Sequence, residues 1–347
     1  MTADAAVTLH RMRFATPAAA RVAWPSSFGR RFLVSVDVEE EFDWRKPFSR
    51  AARGVTAVAA LPAMHARLAD AGIGPLYLVD HPVAANPRAI ATVAALAGAE
   101  IGAQLHPWVN PPDREPAGEG ASFVGNLPRE VEAAKLDTLI ATIESATGAA
   151  PRAYRAGRYG LGPASLALLA ARGIRVDTSM RARHDYRAAG GADFSHVGNA
   201  AFRTREGLLE LPLSTVDVGR WRGAGEWLPQ AARRVPKGRG LLARAGLHSR
   251  VPLTPEGVCA AEAVAAVRAA AQDGERLLVL SFHSPSLVPG NTPYVRDDAE
   301  LARFHAWWDA VLPALARHGF EPASLAEVLV AADEGGMVGP AGLEPAT

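Results

Sequence analysis

The chain has 347 residues, 49% of them hydrophobic, enough to bury one large core or two smaller ones. Lys plus Arg number 37 against 36 Asp plus Glu, so the net charge of +1 gives no reason to expect nucleic acid or an anionic membrane as partner. A single cysteine, Cys259, excludes an internal disulfide and a cysteine-built zinc site; it reads as a small core residue of a helix.

Taken in order, short apolar segments alternate with Ala/Leu-rich helical ones. FLVSVD (32–37) precedes a helix near 54–71, PLYLVD (75–80) precedes NPRAIATVAALAG, and EIGAQL (100–105) leads into a Pro/Gly-rich loop over 106–128. That loop is followed by REVEAAKLDTLIATIESATG, an amphipathic helix stopped at Gly148. PRAYR (151–155), a helix near 163–172, IRVDT (174–178), LLELPLSTV (208–216), a helix over 255–273 and RLLVLSF (276–282) complete the series. Strands separated by helices predict parallel β/α units, as a barrel first and an open doubly wound sheet second. Residues 1–30 read as an N-terminal extension, 31–333 as one barrel domain and 334–347 as a disordered tail. Within the barrel, 219–252 reads as an insertion with seven arginines and Lys237 against the lone acid Glu226; it is a solvated arginine-biased segment or a lid that attracts an acidic glycan.

The N-terminus has no apolar stretch of signal-peptide type and no run is long enough to cross a bilayer, so a cytoplasmic location is expected. In β/α folds the reacting groups sit at the C-terminal ends of the strands. Here those ends carry Asp37, Asp80–His81, His106, Arg155, Asp177 and His283, which places ionisable groups together on one face. No Gly-rich phosphate loop and no G-x-S-x-G elbow is present, so phosphate cradling and an acyl-enzyme serine are not favoured. Carboxylates with imidazoles suit either a divalent metal or a metal-free acid/base pair. Asp37 would take a proton and His283 return one to a leaving group, the chemistry of amide or ester hydrolysis.

With SVDVEEEFDW, EIGAQLHPWVNPP, SFVGNLP, YRAGRYGLGP and LSFHSPSLVPGNTPYV in place, the chain resembles the NodB-homology polysaccharide deacetylases, nearest to their WalW-like branch, over about residues 31–330. The resemblance implies a distorted (β/α)7 barrel, a saccharide substrate, and hydrolysis of N-acetyl more than O-acetyl groups with a divalent metal, usually zinc. It assigns Asp37 as base, Arg155 as its partner and His283 as acid. The usual Asp-Asp pair is replaced by Asp37-Val38-Glu39, so Glu39 becomes the ligand candidate. The usual His-x-x-x-His is reduced to His106 and Asn110, or to Gln104 if the Glu-Ile-Gly segment sets the alignment, so an imidazole is lost either way. The expected metal set is Glu39, His106 and Asn110, with Asp37 adjacent. Trp108, Arg158, Tyr159 and Asp177 are the expected substrate contacts. Glu40, Glu41 and Asp43 read as loop acids in solvent, of which at most one joins the site, and His65, His248, His305 and His318 as surface residues. Trp307 and Trp308 read as helix core. A non-catalytic saccharide-binding protein on the same scaffold and an amidase for a non-sugar C–N bond are the alternatives.

Overall fold

The computed structural model describes residues 13–224 and 238–336. The chain enters through β1 (Arg13–Ala15) and continues as β2 (Arg30–Val38), β3 (Leu76–Val79), β4 (Glu100–Leu105), β5 (Ala153–Ala156) and β6 (Val176–Asp177). It then forms β7 (Asp193–His196), β8 (Phe202–Arg203), β9 (Leu209–Glu210), β10 (Thr215–Val218), β11 (Ser249–Pro252), β12 (Leu277–His283) and β13 (Phe320–Pro322). One sheet runs in the order β12-β2-β3-β4-β5-β6-β9-β8, with β13 added beside the start of β2. All its pairs are parallel except β8 with β9. The sheet curls into a distorted α/β barrel with its helices outside.

Two apolar layers explain why these segments are strands. Val34, Val36 and Val38 of β2 pack with Tyr77, Val79, Leu105, Tyr154, Leu280 and Phe282 in the larger core. Leu33, Leu76, Leu78, Val176, Leu209, Leu277 and Val279 belong to a second core, closed by Leu325, Val328 and Leu329 of the last helix. Strands buried on both faces read as nearly continuous apolar runs, as FLVSV and LLVL do. Trp307 and Trp308 are buried in the helix Asp298–Arg317, as expected. The helix Arg129–Thr147 ends at Gly148, which takes the left-handed conformation (φ 76°) that favours glycine.

The expected strand 208–216 is interrupted. Pro212 has no N–H to give a ladder, so β9 stops early and the chain crosses to the far edge, where the Ser214 amide donates to Val279 O at 3.0 Å. That bond, with Leu253 N to Ser214 O (3.0 Å) and Ser281 N to Leu253 O (3.2 Å), bridges the gap between β9 and β12. β10 then leaves the sheet and pairs antiparallel with β11. Of the basic segment 219–252, residues 225–237 lie outside the described residues; the remainder includes the helix Gly238–Arg244 and β11. The extension is tied to the body, since β1 pairs with β7 and Val22 and Phe28 enter the second core. Of the tail expected to be disordered, 337–347 lie outside the described residues, and Glu334–Gly335 complete the last helix.

Two smaller expectations change. Cys259 is exposed at the N-terminal boundary of the helix Ala260–Gln272, not in its core. His65 is buried, with Nδ1 2.9 Å from the Tyr77 hydroxyl, and His248 is buried near Asp217. No helix among the described residues is long and apolar enough to cross a membrane.

Candidate active site

The outer strands of the sequence series become neighbours in space. In the parallel ladder between β2 and β12, Asp37 and His283 are register partners. Their side chains meet at the C-terminal edge, with His283 Nε2 3.3 Å from Asp37 Oδ2. Asp37 is 1% exposed, so its charge is compensated from within. Arg155, at the end of β5, supplies the compensation. Its Nη1 donates to Asp37 Oδ1, its Nη2 to Ser35 Oγ at 2.7 Å and its Nε to Thr178 O at 3.0 Å. Three fixed acceptors lock the guanidinium, which in turn locks one carboxylate oxygen and leaves the other beside His283.

His283 has a second acid that sequence reading missed. Glu256 Oε2 lies 2.6 Å from His283 Nδ1, and Glu256 Oε1 accepts the His283 amide at 3.1 Å and the Ser286 hydroxyl. Burial disfavours the charged imidazole, but Glu256, Glu39 and Asp37 outweigh it and raise His283 well above its ordinary value. Burial also works against the Glu256 charge; His283 and Ser286 override it and hold the carboxyl below its usual range. Glu256 sits in TPEG just before a helix, where an acid reads as ordinary N-terminal decoration.

A second cluster adjoins the first. His106 Nε2 is 3.4 Å from Glu39 Oε2, while its Nδ1 is 2.7 Å from Glu40 Oε2. Glu40, read from sequence as a solvated loop acid, is 1% exposed; it accepts Trp108 Nε1 at 2.7 Å and donates its own amide to Asp80 Oδ2 at 2.8 Å. Burial pushes Glu39 up to about 7 and Glu40 up to about 8. The groups Asp37–Glu39–His283 and Glu40–Asp80–His106 each gather their ligand atoms within 4.8 Å.

Several expected contacts lie elsewhere. Asn110 is buried with its Nδ2 given to Pro111 O (2.6 Å) and Lys135 O (3.0 Å); its Oδ1 is buried without a hydrogen-bond partner, but the residue does not line the cavity. Gln104, the alternative that the Glu-Ile-Gly alignment offers, is placed differently. It faces the same side as His106, two residues on; it lines the cavity, and its buried Oε1 has no hydrogen-bond partner. A carboxylate, an imidazole and an orphaned amide oxygen fit a divalent cation, and the oxygen-rich set favours one harder than a thiolate site would take. Trp108 stacks on His106 (4.4 Å between centroids, 21°) and spends its indole N–H on Glu40, so it supports the site from behind and offers no face to a ligand. Asp177 is buried against Glu210, its ladder partner, and accepts from Ser179; it does not line the cavity.

Arg158 and Tyr159 do line it. Both have left-handed backbone (φ 56° and 58°), a conformation costing about 1–3 kcal/mol for each non-glycine residue. Stacking holds them there: the Arg158 guanidinium lies 4.0 Å from the Phe123 ring centroid, and Tyr159 stacks on Tyr186 at 5.4 Å. Gly157, just before, has no room for a side chain, because a Cβ would overlap the His106 ring and come within 2.6 Å of Leu105 O. Gly157→Ala is therefore expected to displace His106 and cut activity by about 10²-fold, checked by kcat alongside Tm.

These residues enclose a cavity of about 250 Å³. Trp44 and Tyr294, each 49% exposed, stand on its wall, as do Phe123, Arg181 and Tyr186. None of the described residues of 219–252 contributes to it.

No family model and no curated protein matches the sequence. Solved structures do match. A Mycobacterium smegmatis protein assigned to the polysaccharide deacetylases aligns over 96% of this chain and 100% of its own, at 17% identity and a TM-score of 0.56. The fold is that of the polysaccharide deacetylases. Matches at lower TM-scores include the family 4 acetyl xylan esterase of Clostridium thermocellum in complex with a cobalt ion (14% identity, 87% and 91% coverage, TM-score 0.40). PuuE allantoinase also matches (14% identity, 90% and 92% coverage, TM-score 0.48). In this deacetylase-type barrel the cavity opens at the C-terminal ends of β2, β4, β5 and β12, the face where the strand ends carry Asp37, His106, Arg155 and His283.

Proposed function

We propose that the protein is a hydrolase that removes acetyl groups from a saccharide, N-acetyl in preference to O-acetyl. The observation that carries this reading is the pairing of two oppositely prepared groups over one cavity. Asp37 is ion-paired with Arg155, and His283 is held protonated by Glu256. The deacetylase-type fold and the WalW-like motifs agree with it. So do Trp44 and Tyr294, since half-exposed aromatic faces suit the C–H faces of a sugar ring.

Asp37 acts as base through Oδ2, the oxygen that Arg155 does not occupy, and takes a proton from the attacking water. His283 Nε2 then delivers its proton to the departing nitrogen, while Glu256 holds Nδ1 and fixes the ring. An amine cannot leave unprotonated, so an imidazolium fits an amide better than an ester. A divalent cation held by Glu39, His106 and the Gln104 amide oxygen would polarise the acetyl carbonyl when bound. Glu40 keeps His106 Nε2 turned to the cavity by taking Nδ1. The expectation of zinc is kept as a divalent cation, with the loss of one imidazole favouring a harder ion.

The test is acetate release from a panel of N- and O-acetylated oligosaccharides, with metal content measured on the same protein. Release from N-acetylated sugars, lost in Asp37→Asn by about 10³-fold or more, supports the assignment. Sugar binding without acetate from any substrate would replace it with a binding function on the same scaffold.

A further inference from the structure

Three arginines line the cavity, and two have a carboxylate within 4.0 Å. Arg155 is spent on Asp37, Ser35 and Thr178. Arg158 donates to Ser122, lies 3.9 Å from Glu119 and stacks on Phe123. Arg181 differs. Its one side-chain hydrogen bond is a long 3.5 Å contact from Nη1 to the Tyr186 hydroxyl, and no carboxylate lies within 4.0 Å of it among the described residues. A guanidinium carries five N–H donors, so most of its fork is unspent. Its guanidinium sits 5.7 Å from the Tyr159 ring centroid, and Tyr186 and Tyr294 line the same cavity.

Its position is fixed. Arg181 lies just beyond β6, after Thr178, Ser179 and Met180, and its backbone bridges to Leu213, so it is part of the barrel's rim. The acids elsewhere in the cavity have cations or imidazoles of their own: Asp37 has Arg155, Glu256 has His283, and Glu39 has His106. A guanidinium with no carboxylate beside it, set among aromatic rings on the cavity wall, is suited to receive a negative charge from outside the protein.

We propose that Arg181 reads an anionic substituent of the substrate, so that the acetylated sugar carries a carboxylate, phosphate or sulfate. This deepens the deacetylase reading and rests on it for the reaction, though not for the binding. The planar fork takes such an anion in two parallel N–H···O bonds, with Tyr159 and Tyr186 forming the wall beside it.

The experiment compares kcat/KM for an N-acetylated disaccharide bearing a uronic carboxylate with kcat/KM for its methyl ester; phosphorylated and sulfated disaccharides distinguish the anion. The acid is expected to exceed the ester by about tenfold or more. Arg181→Met should bring that ratio close to one, and Arg181→Lys, which keeps the charge but loses the fork, should fall between. The same ligands are titrated by calorimetry into Asp37→Asn, where turnover plays no part. Equal wild-type kcat/KM for acid and ester overturns the anion site and leaves the deacetylase reading standing. Acid-selective binding that needs Arg181, in a protein that releases no acetate, sustains the anion site and removes the deacetylase reading. If Arg181→Met fails to fold, the wild-type ratio and the lysine variant decide.

Discussion

Replacing His283 with alanine is expected to lower kcat on an N-acetylated sugar by about 10²–10⁴-fold, the usual worth of a positioned general acid. The fold should survive, because Glu256 keeps the main-chain N–H of residue 283 and the Ser286 hydroxyl as donors. Glu256→Gln gives a finer result. Glu256 is the largest of the influences that raise His283, so its loss should move the alkaline limb of the kcat profile to lower pH. The sign is set by the direction of the shift. The folded His283 titrates well above 6.5, so the stability it contributes is complete below that pH and is lost as pH rises through the raised value. Wild-type Tm should fall over that alkaline range, and the glutamine variant should fall less. Superimposable alkaline limbs in the two proteins would remove Glu256 from the proton-handling role.

Why the sequence showed one half of this site and hid the other has a physical answer. Asp37, His106, Arg155 and His283 sit at strand ends, where period and punctuation mark the position and parallel topology sets the direction. Glu256 is on a connecting segment, and its side chain reaches His283 only because Ser214 and Leu253 stitch the sheet closed beside β12. No local pattern encodes that closure. Glu40 was misread because a run of acids after a strand resembles a solvated turn. Its burial depends on His106 and Trp108 arriving from β4, 66 and 68 residues later. Asn110 has the spacing from His106 that a ligand would need, but its Nδ2 is held by Pro111 O and Lys135 O and the residue lies outside the cavity lining. Gln104 was legible as the alternative set by the Glu-Ile-Gly segment; that it lines the cavity with a buried, unpaired amide oxygen is visible only in the structure.

Arg155→Met is expected to be the most damaging single change to stability. Arg155 is fully buried and is the cation shared by Asp37 in front and by the Asp177–Glu210 pair behind. Removing one partner of a buried ion pair costs about 3–5 kcal/mol, because the remaining charge is stranded. Here Asp37 would lose its ion-pair partner, and the Asp177–Glu210 pair a cation that works against its raised values. Burial already pushes Asp177 above its ordinary value and Glu210 well above, with each other's proximity adding to Glu210. A carboxyl whose folded pKa is raised contributes stability present below its unfolded value and lost as pH rises through the folded one. Loss of Arg155 raises these groups further, so the destabilisation of the methionine variant should be larger at pH 8 than at pH 5, read from denaturant midpoints at both. Asp37→Asn in the same background should recover part of the loss, since an amide leaves no charge to strand, and the cycle isolates the pair. Equal destabilisation at both pH values would mean that Arg155 acts through packing and its bonds to Thr178 and Ser35. Arg155 would then position the Asp37 carboxylate through geometry, with the ion pair itself adding little to the fold.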